Sequence, residues 1–308
     1  MNLDALLSRL LILAVIGGLL PLGAAYWWGF ELFAHFRVQY IGLAAFLFIV
    51  AIAFRKRLPA LLLAATAAFN AWPLWPYLPA ATAPQDGFRF EVLNVNVNSD
   101  NGDHAAIIDA IRTADTDLVF VLELTPILNT ALESLAESYP YRFAAPADDN
   151  FGIGILSRYP LNTPTELSIG PTTAIDSLVE LPAGSLRFVV AHLVPPTGAD
   201  LARARNTQLT ELAEHASRID APLLVCGDFN LTPYSPFFGR FAEEASLSDV
   251  RLGRGLGLSW PSFMPLFGIP IDHCLIRGPI EVISVERLNP VGSDHYPVRV
   301  TLVWQGNE

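Results

Sequence analysis

Three long apolar stretches in the first quarter constrain this chain before anything else does. They cover residues 10–28, 38–54 and 58–78. A helix needs about 20 mostly apolar residues, within a range of about 17–25, to cross the hydrocarbon core of a bilayer. All three reach that length, the second only marginally. A cleaved leader explains the first stretch poorly, because two more follow it and no small-residue cleavage site stands out. Asn70, Pro73 and Pro76 predict a kinked or interfacial end to the third, and Trp27, Trp28, Trp72 and Trp75 sit where interfacial belts collect tryptophan.

Charge divides the chain at the same place. Residues 1–79 carry five bases and two acids, a net +3 against −11 for the whole chain, which leaves −14 for the remainder. A basic, apolar first part and an acidic second part predict a membrane anchor over residues 1–84, with its linker, and a separate domain over 85–308, the boundary falling in "PAATAPQDG" at 79–87. The densest basic cluster, Arg55-Lys56-Arg57, lies between the second and third stretches and is expected on the cytoplasmic side. Three spans then put the C-terminal domain on the extracytoplasmic face, in a bacterial cytoplasmic membrane. Cys226 and Cys274, the two cysteines, sit in apolar runs and are expected to be buried free thiols.

From Phe88 onward β-rich runs alternate with amphipathic helical patterns. Strands are expected at 88–98, at 117–123, in "FGIGILS", "LRFVVAHL" and "APLLVCGDFN", and in three closing runs ("IDHCLIR", "EVISVERL", "YPVRVTLVW"). Helices are expected at 104–114, after Thr125-Pro126, over 200–219 and after Ser235-Pro236, the last two dipeptides pairing a cap with proline at the first turn. Polar residues recur where strands end: Asn96, Glu123, His192, Asp228 with Asn230, Asp272, and Asp294 with His295. Each has a plainer reading alone, as a turn residue, a core histidine, a helix-leading acid or a surface loop. Acids, amides and imidazoles at six strand ends together point to a site carried on a rigid scaffold.

The motifs "NVNV", "DLVFVLE", "GIGILSRYP", "AHLVPP", "GDFN", "IDHCL" and "GSDHYPV", in this order over roughly residues 88–304, resemble the endonuclease/exonuclease/phosphatase superfamily, here as a membrane-anchored bacterial-type member. The resemblance implies a four-layer α/β/β/α sandwich and a metal-dependent phosphoesterase that uses activated water. By the same resemblance Glu123 binds the metal, assisted by Asn96 and Asp294. Asp228 orients or deprotonates the attacking water, and Asn230 holds the phosphate or that water. His295 contacts the scissile phosphate and is oriented by Asp272, while His192 supplies a second imidazole. Oxygen ligands of this kind suit Mg²⁺, with Mn²⁺ as the alternative. The chain departs from the pattern at Leu122, where a glutamine is usual, and at Pro270-Ile271, where an arginine is often found. His273 is expected to be structural, and His104 and His215 to face solvent.

The expected substrate is a small or lipid-linked phosphoester, met at the bilayer to which the N-terminal helices belong. The acidic domain, with 14 arginines and no lysine against 28 acids, disfavours a nucleic acid unless a local basic patch forms around Arg158, Arg251 or Arg254. The apolar run "LSWPSFMPLFGIP" at 258–270 is expected to rim the site or to pack as a loop. A nuclease and a catalytically silent membrane-anchored binding protein are the rival readings.

Overall fold

The computed structural model describes residues 3–80, 82–84 and 86–305. The expected boundary at 79–87 falls partly outside them, at residues 81 and 85. Four helices come first: α1 (Leu3–Leu19), α2 (Trp28–Ala34), α3 (Arg37–Ala53) and α4 (Arg57–Ala71). Among the described residues, two apolar segments are long enough to span a membrane, Ala5–Gly23 and Arg57–Tyr77, with mean hydropathies of 2.2 and 1.3. The expected first span is thus shifted toward the N-terminus. The third ends in a 3-10 stretch, Trp72–Tyr77, where Pro73 and Pro76 interrupt regular α-helix. The middle span qualifies only if α2 and α3 are counted together across their 68° bend.

Leu11, Ala44, Ala51, Ala60 and Leu63 form the interior of the α1/α3/α4 bundle, small side chains allowing close approach of the helices. Leu13, Ile16, Phe46, Ile49, Leu58 and Leu61 point outward and exposed, as lipid-facing positions would. Asn70 is the polar clasp: its Nδ2 donates to the carbonyls of Gly18 and Thr66, each at 2.9 Å, and its Oδ1 accepts from Arg37 Nη1 at 3.1 Å. Gln39 Nε2 donates to the Gly268 carbonyl at 3.0 Å, and Gly253 and Gly255 N–H donate to the Pro76 and Tyr77 carbonyls at 2.8 Å. The start of α3 and the end of α4 therefore both abut the C-terminal domain. The Arg55-Lys56-Arg57 turn joins the two opposite ends.

The rest of the chain is an α/β sandwich of two six-stranded mixed sheets. Its strands are β1 (Phe88–Asn96), β2 (Leu118–Leu122), β3 (Tyr141–Ala145), β4 (Ile153–Ser157), β5 (Leu161–Ile169), β6 (Thr172–Leu181), β7 (Gly184–His192), β8 (Leu223–Asp228), β9 (Ser248–Asp249), β10 (Asp272–Arg277), β11 (Ile280–Arg287) and β12 (Val298–Trp304). The first sheet runs β11-β12-β1-β2-β4-β3 and the second β5-β6-β7-β8-β10-β9. Only β1/β2 and β7/β8 pair in parallel among these neighbours. Phe120 and Phe188, their rings 5.2 Å apart, join the sheets in the central core.

The helices α5 (His104–Ala114) and α6 (Pro126–Ala131) cover the first sheet, and α7 (Ala199–Ser217) and α8 (Pro236–Glu244) the second. Ile107, Ile111 and Ala114, at helical spacing, are the buried face of α5. Thr125 and Ser235 cap α6 and α8 by accepting from the N–H groups of Leu128 and Phe237, with proline at the first turn of each.

The cysteine expectation is overturned: Cys226 and Cys274 form a disulfide. They are direct partners in the β8/β10 register, which puts their Cα atoms 4.1 Å apart. His215 is corrected too. It is half-buried, and its Nε2 lies 2.7 Å from Asp176 Oδ2 beside Arg187, rather than facing solvent alone.

Candidate active site

Register explains why the polar strand ends converge. In the first sheet Asn96 pairs with Leu122, so Glu123 follows directly beside it; in the second His192, Asp228 and Asp272 are cross-strand neighbours. Asn96, Glu123, His192 and Asp228 follow from the C-terminal ends of the two parallel pairs, and the Ser293–His295 loop before β12 brings in His295. Gly227 is required where β8 lies against β7. A Cβ there would stand 1.8 Å from the Ala191 carbonyl oxygen, and its φ of +148° is itself unfavourable for other residues. Glu123 and Asn230 also have positive φ, +61° and +52°. Strain of this kind concentrates at functional sites.

Asp228 is the hub. Its Oδ1 accepts from the Asn230 N–H at 2.9 Å, and its Oδ2 accepts from Asn96 Nδ2 at 3.2 Å. The same Oδ2 lies 3.6 Å from both His192 Nε2 and His295 Nε2. Burial, with Asp272 nearby, pushes the Asp228 carboxyl well above its ordinary range, against the opposing influence of His295. His295 Nδ1 donates to Asp272 Oδ2 at 2.8 Å. Burial opposes charge on this ring, but Asp272, then Asp228, outweigh it and raise the imidazole to about 10. His192 Nδ1 donates to the Asn150 carbonyl at 2.7 Å, which leaves Nε2 as an acceptor; burial and the neighbouring His295 lower this ring to about 4, so it is neutral.

Glu123 accepts from Asn96 Nδ2 and from the Ser99 N–H, each at 3.0 Å, while burial pushes its carboxyl upward. Asp294 is held at both oxygens, by Asn98 Nδ2 at 3.1 Å and Trp260 Nε1 at 2.8 Å. The eight site residues expected from the sequence, Asn96, Glu123, His192, Asp228, Asn230, Asp272, Asp294 and His295, thus lie in one connected cluster, Asp294 joining through Asn98. The supports Asn98, Ser99, Asn150 and Trp260 were not singled out. Trp260 stood in a run already marked by its apolar character, whereas Asn150 and Ser99 act through their backbones and leave no side-chain signal. Leu122 is wholly buried, and Glu123 takes its hydrogen bonds from Asn96 and Ser99. His273 is structural: its ring stacks on Phe229, and its Nε2 lies 2.8 Å from the Leu231 carbonyl.

The donor set fits a divalent cation. Buried carboxylates crowded together are stabilised by one, and Asp272 Oδ1, though buried, has no hydrogen-bond partner. Asp228, Asp272 and His295 offer ligand atoms within 4.8 Å of one another, a cluster able to chelate a divalent metal.

The chain belongs to the Endonuclease/Exonuclease/phosphatase family, which it matches over residues 93–295. No curated protein matches it in sequence. Among solved structures, D. rerio TDP2 complexed with single strand DNA product is similar at a TM-score of 0.59 and 19% identity, over 70% of this chain and 98% of that one. An endonuclease/exonuclease/phosphatase family protein from Bacteroides thetaiotaomicron is similar at 0.58 and 17%, over 72% and 100%. The human Nocturnin catalytic domain with bound sulfate anion is similar at 0.58 and 18%, over 71% and 97%. At these identities the likeness is one of fold. With the buried cluster, it is consistent with a hydrolytic phosphoesterase or nuclease.

Proposed function

We propose that the protein is a membrane-anchored, divalent-metal-dependent phosphoesterase that hydrolyses its substrate with an activated water. The observation that carries this is the Asp228 hub between a neutral and a protonated imidazole. Asp228 Oδ2 and His192 Nε2 lie 3.6 Å apart at the floor of the cavity, so a water seated beside them is within reach of both. Asp228 takes the proton from the attacking water. His295, charged through Asp272, donates from Nε2 to a phosphoryl oxygen as negative charge accumulates there. Asn230 fixes Asp228 through its N–H and points its side chain at His192 Nε2, 3.4 Å away.

We assign the metal to Glu123, with Asp294 and Asn96 beside it, because an imidazole held protonated is a poor ligand and His295 belongs to the rival cluster. Mg²⁺, or Mn²⁺ in its place, would supply Lewis-acid stabilisation of phosphoryl charge when bound. Metal titration separates the two assignments. Glu123→Gln should raise the metal concentration needed for half-maximal activity at least tenfold, and Asp272→Asn should leave it nearly unchanged; the reverse pattern moves the metal to the Asp228–Asp272–His295 cluster.

A nuclease is the second reading, and the solved relatives favour it. One of them is complexed with single strand DNA product. Against it, the basic patch weighed from the sequence does not form. Arg251 is buried against Asp249, Arg158 pairs with Asp115, and Arg254 is committed to backbone carbonyls. Turnover by the full-length chain of oligonucleotides, phospholipids and sugar or inositol phosphates, each with Mg²⁺ and with EDTA, decides between these substrates. Absence of turnover across the panel would favour the catalytically silent reading.

The catalytic domain is assigned to the extracytoplasmic side of a bacterial cytoplasmic membrane. Support comes from the basic turn at the far end of the bundle from the domain, and from the Cys226–Cys274 disulfide, which persists in oxidising compartments.

A further inference from the structure

The short helix α2 belongs by sequence to the apolar N-terminal quarter, yet it is seated on the catalytic domain. Glu31, wholly buried, accepts from Arg205 Nη2 at 2.6 Å and from Ser235 Oγ at 2.7 Å. Arg205 in turn donates from Nη1 to the carbonyl of Asn230 at 3.1 Å, so one guanidinium ties α2 to an active-site residue. One turn further on, His35 Nδ1 accepts from the Thr232 N–H at 3.4 Å. Because a backbone N–H can only donate, the ring proton sits on Nε2, which is buried and has no partner.

Leu32, His35 and Phe36 form part of the wall of the cavity that contains Glu123, His192, Asp228, Asn230, Asp294 and His295. That cavity measures ≈ 970 Å³, near the top of the range of about 300–1,000 Å³ typical of small-molecule sites. A phosphoryl group and its water need only a fraction of that space. Beyond the polar cluster the lining turns apolar, at Phe151, Val194, Leu201 and Ile271 among others, and no arginine or lysine lines it among the described residues. Beside it, Gln39 of α3 holds the backbone of the 263–268 segment at Leu266 and Gly268, where Phe263, Leu266 and Phe267 are exposed, Leu266 at 88%. The cavity is thus built jointly by the catalytic domain and the membrane part, next to an uncovered apolar rim.

We propose that α2 completes the active site and that the cavity takes an amphiphilic phosphoester, with its phosphoryl group at Asp228 and His295 and an alkyl or isoprenoid chain along Leu32, Phe36 and Leu201. His35 Nε2–H, buried and without a partner, would donate to an acceptor atom of the ligand next to its head group. A polyanionic strand gains nothing from this wall, whereas an alkyl chain laid along it removes apolar surface from water. The proposal rests on the phosphoesterase reading for the chemistry but concerns what the cavity binds.

The test uses the full-length chain in nanodiscs and two readouts. In the first, equilibrium binding of tritiated methylphosphonate and octylphosphonate is measured, with empty nanodiscs correcting for partitioning. Octylphosphonate should bind at least tenfold more tightly, and the octyl-to-methyl ratio should fall at least threefold in Leu32→Ala and in Leu201→Ala, the second of which alters a partly exposed side chain and spares the α2 seat. Equal affinities, or a ratio unaltered in both variants, overturn the proposal. So does displacement of either phosphonate by a single-stranded oligonucleotide at lower concentrations than by octylphosphonate, which would assign the cavity to nucleic acid. In the second readout, hydrolysis of methyl and octyl 4-nitrophenyl phosphate is followed. A chain advantage in binding with no hydrolysis of either ester sinks the phosphoesterase reading and leaves the cavity's occupant standing; hydrolysis without a chain advantage does the opposite.

Discussion

His295 and Asp228 share the polar centre of the cavity but are driven in ways that can be measured apart. Asp228→Asn, Glu123→Gln and His295→Ala should each lower kcat at least about 10²-fold, the loss usual for a removed transition-state donor, in a chain that elutes and melts like the wild type. Near-normal rates in two of the three would overturn the assignment. Asp272 predicts the alkaline limb. Its charge helps to hold His295 protonated to about 10, so kcat/KM should not fall between pH 7 and 9. Removing that anion in Asp272→Asn destabilises the imidazolium, lowers the ring's pKa and moves the limb toward the ordinary imidazole range near 6.5. A limb that stays in place would show that another group sets it. These residues were legible in the sequence because the chemistry needs acids and imidazoles where strands end. The disulfide was not, since Cys226 and Cys274 lie in runs as apolar as any buried thiol requires, and only the β8/β10 register reveals that they face each other.

The helix α2 shows what an element can hide. Between the first two apolar stretches, Glu31 counts as one of two acids in residues 1–79 and nothing marks its partner, because Arg205 lies 174 positions away. Removing one member of a buried pair leaves the other charged and unsolvated, at a cost of about 3–5 kcal/mol. Glu31→Gln should therefore lower the thermal midpoint and expose α2 to limited proteolysis, while Glu31→Gln combined with Arg205→Met should recover much of the loss. A single variant as stable as the wild type would mean that α2 is not seated as described. The strands were read unevenly. β2 and β8, wholly buried, are short continuous apolar runs, and β1, β7 and β12 bury most of their length. β5 and β6 escaped notice: β5 is largely uncovered and mixes Asn162, Thr163, Pro164 and Glu166, while β6 carries Asp176 and Ser177 inside it. Their pairing comes from the sheet, not from local pattern.

At the scale of the molecule, the bundle and the sandwich form one working unit. α3 begins and α4 ends against the catalytic domain, so the Arg55-Lys56-Arg57 turn lies at the opposite end of two helices, the first of 17 residues and so about 25 Å long. If basic turns stay in the cytoplasm, a C-terminal reporter that works only outside it should be active, and moving the three charges to the 29–37 segment should perturb that orientation. A reporter active only in the cytoplasm would invert the topology. That apolar helices precede an α/β sandwich was legible from hydropathy and the strand pattern; the joint cavity was not, because it depends on how the parts are packed. The central claim, metal-dependent hydrolysis at Asp228, is tested most directly by turnover of bis(4-nitrophenyl) phosphate by the full-length chain with Mg²⁺ or Mn²⁺, with EDTA, and in Asp228→Asn. The account predicts steady hydrolysis with metal that chelation and the substitution each abolish. Hydrolysis that survives EDTA, or an Asp228→Asn chain as active as the wild type, would contradict it.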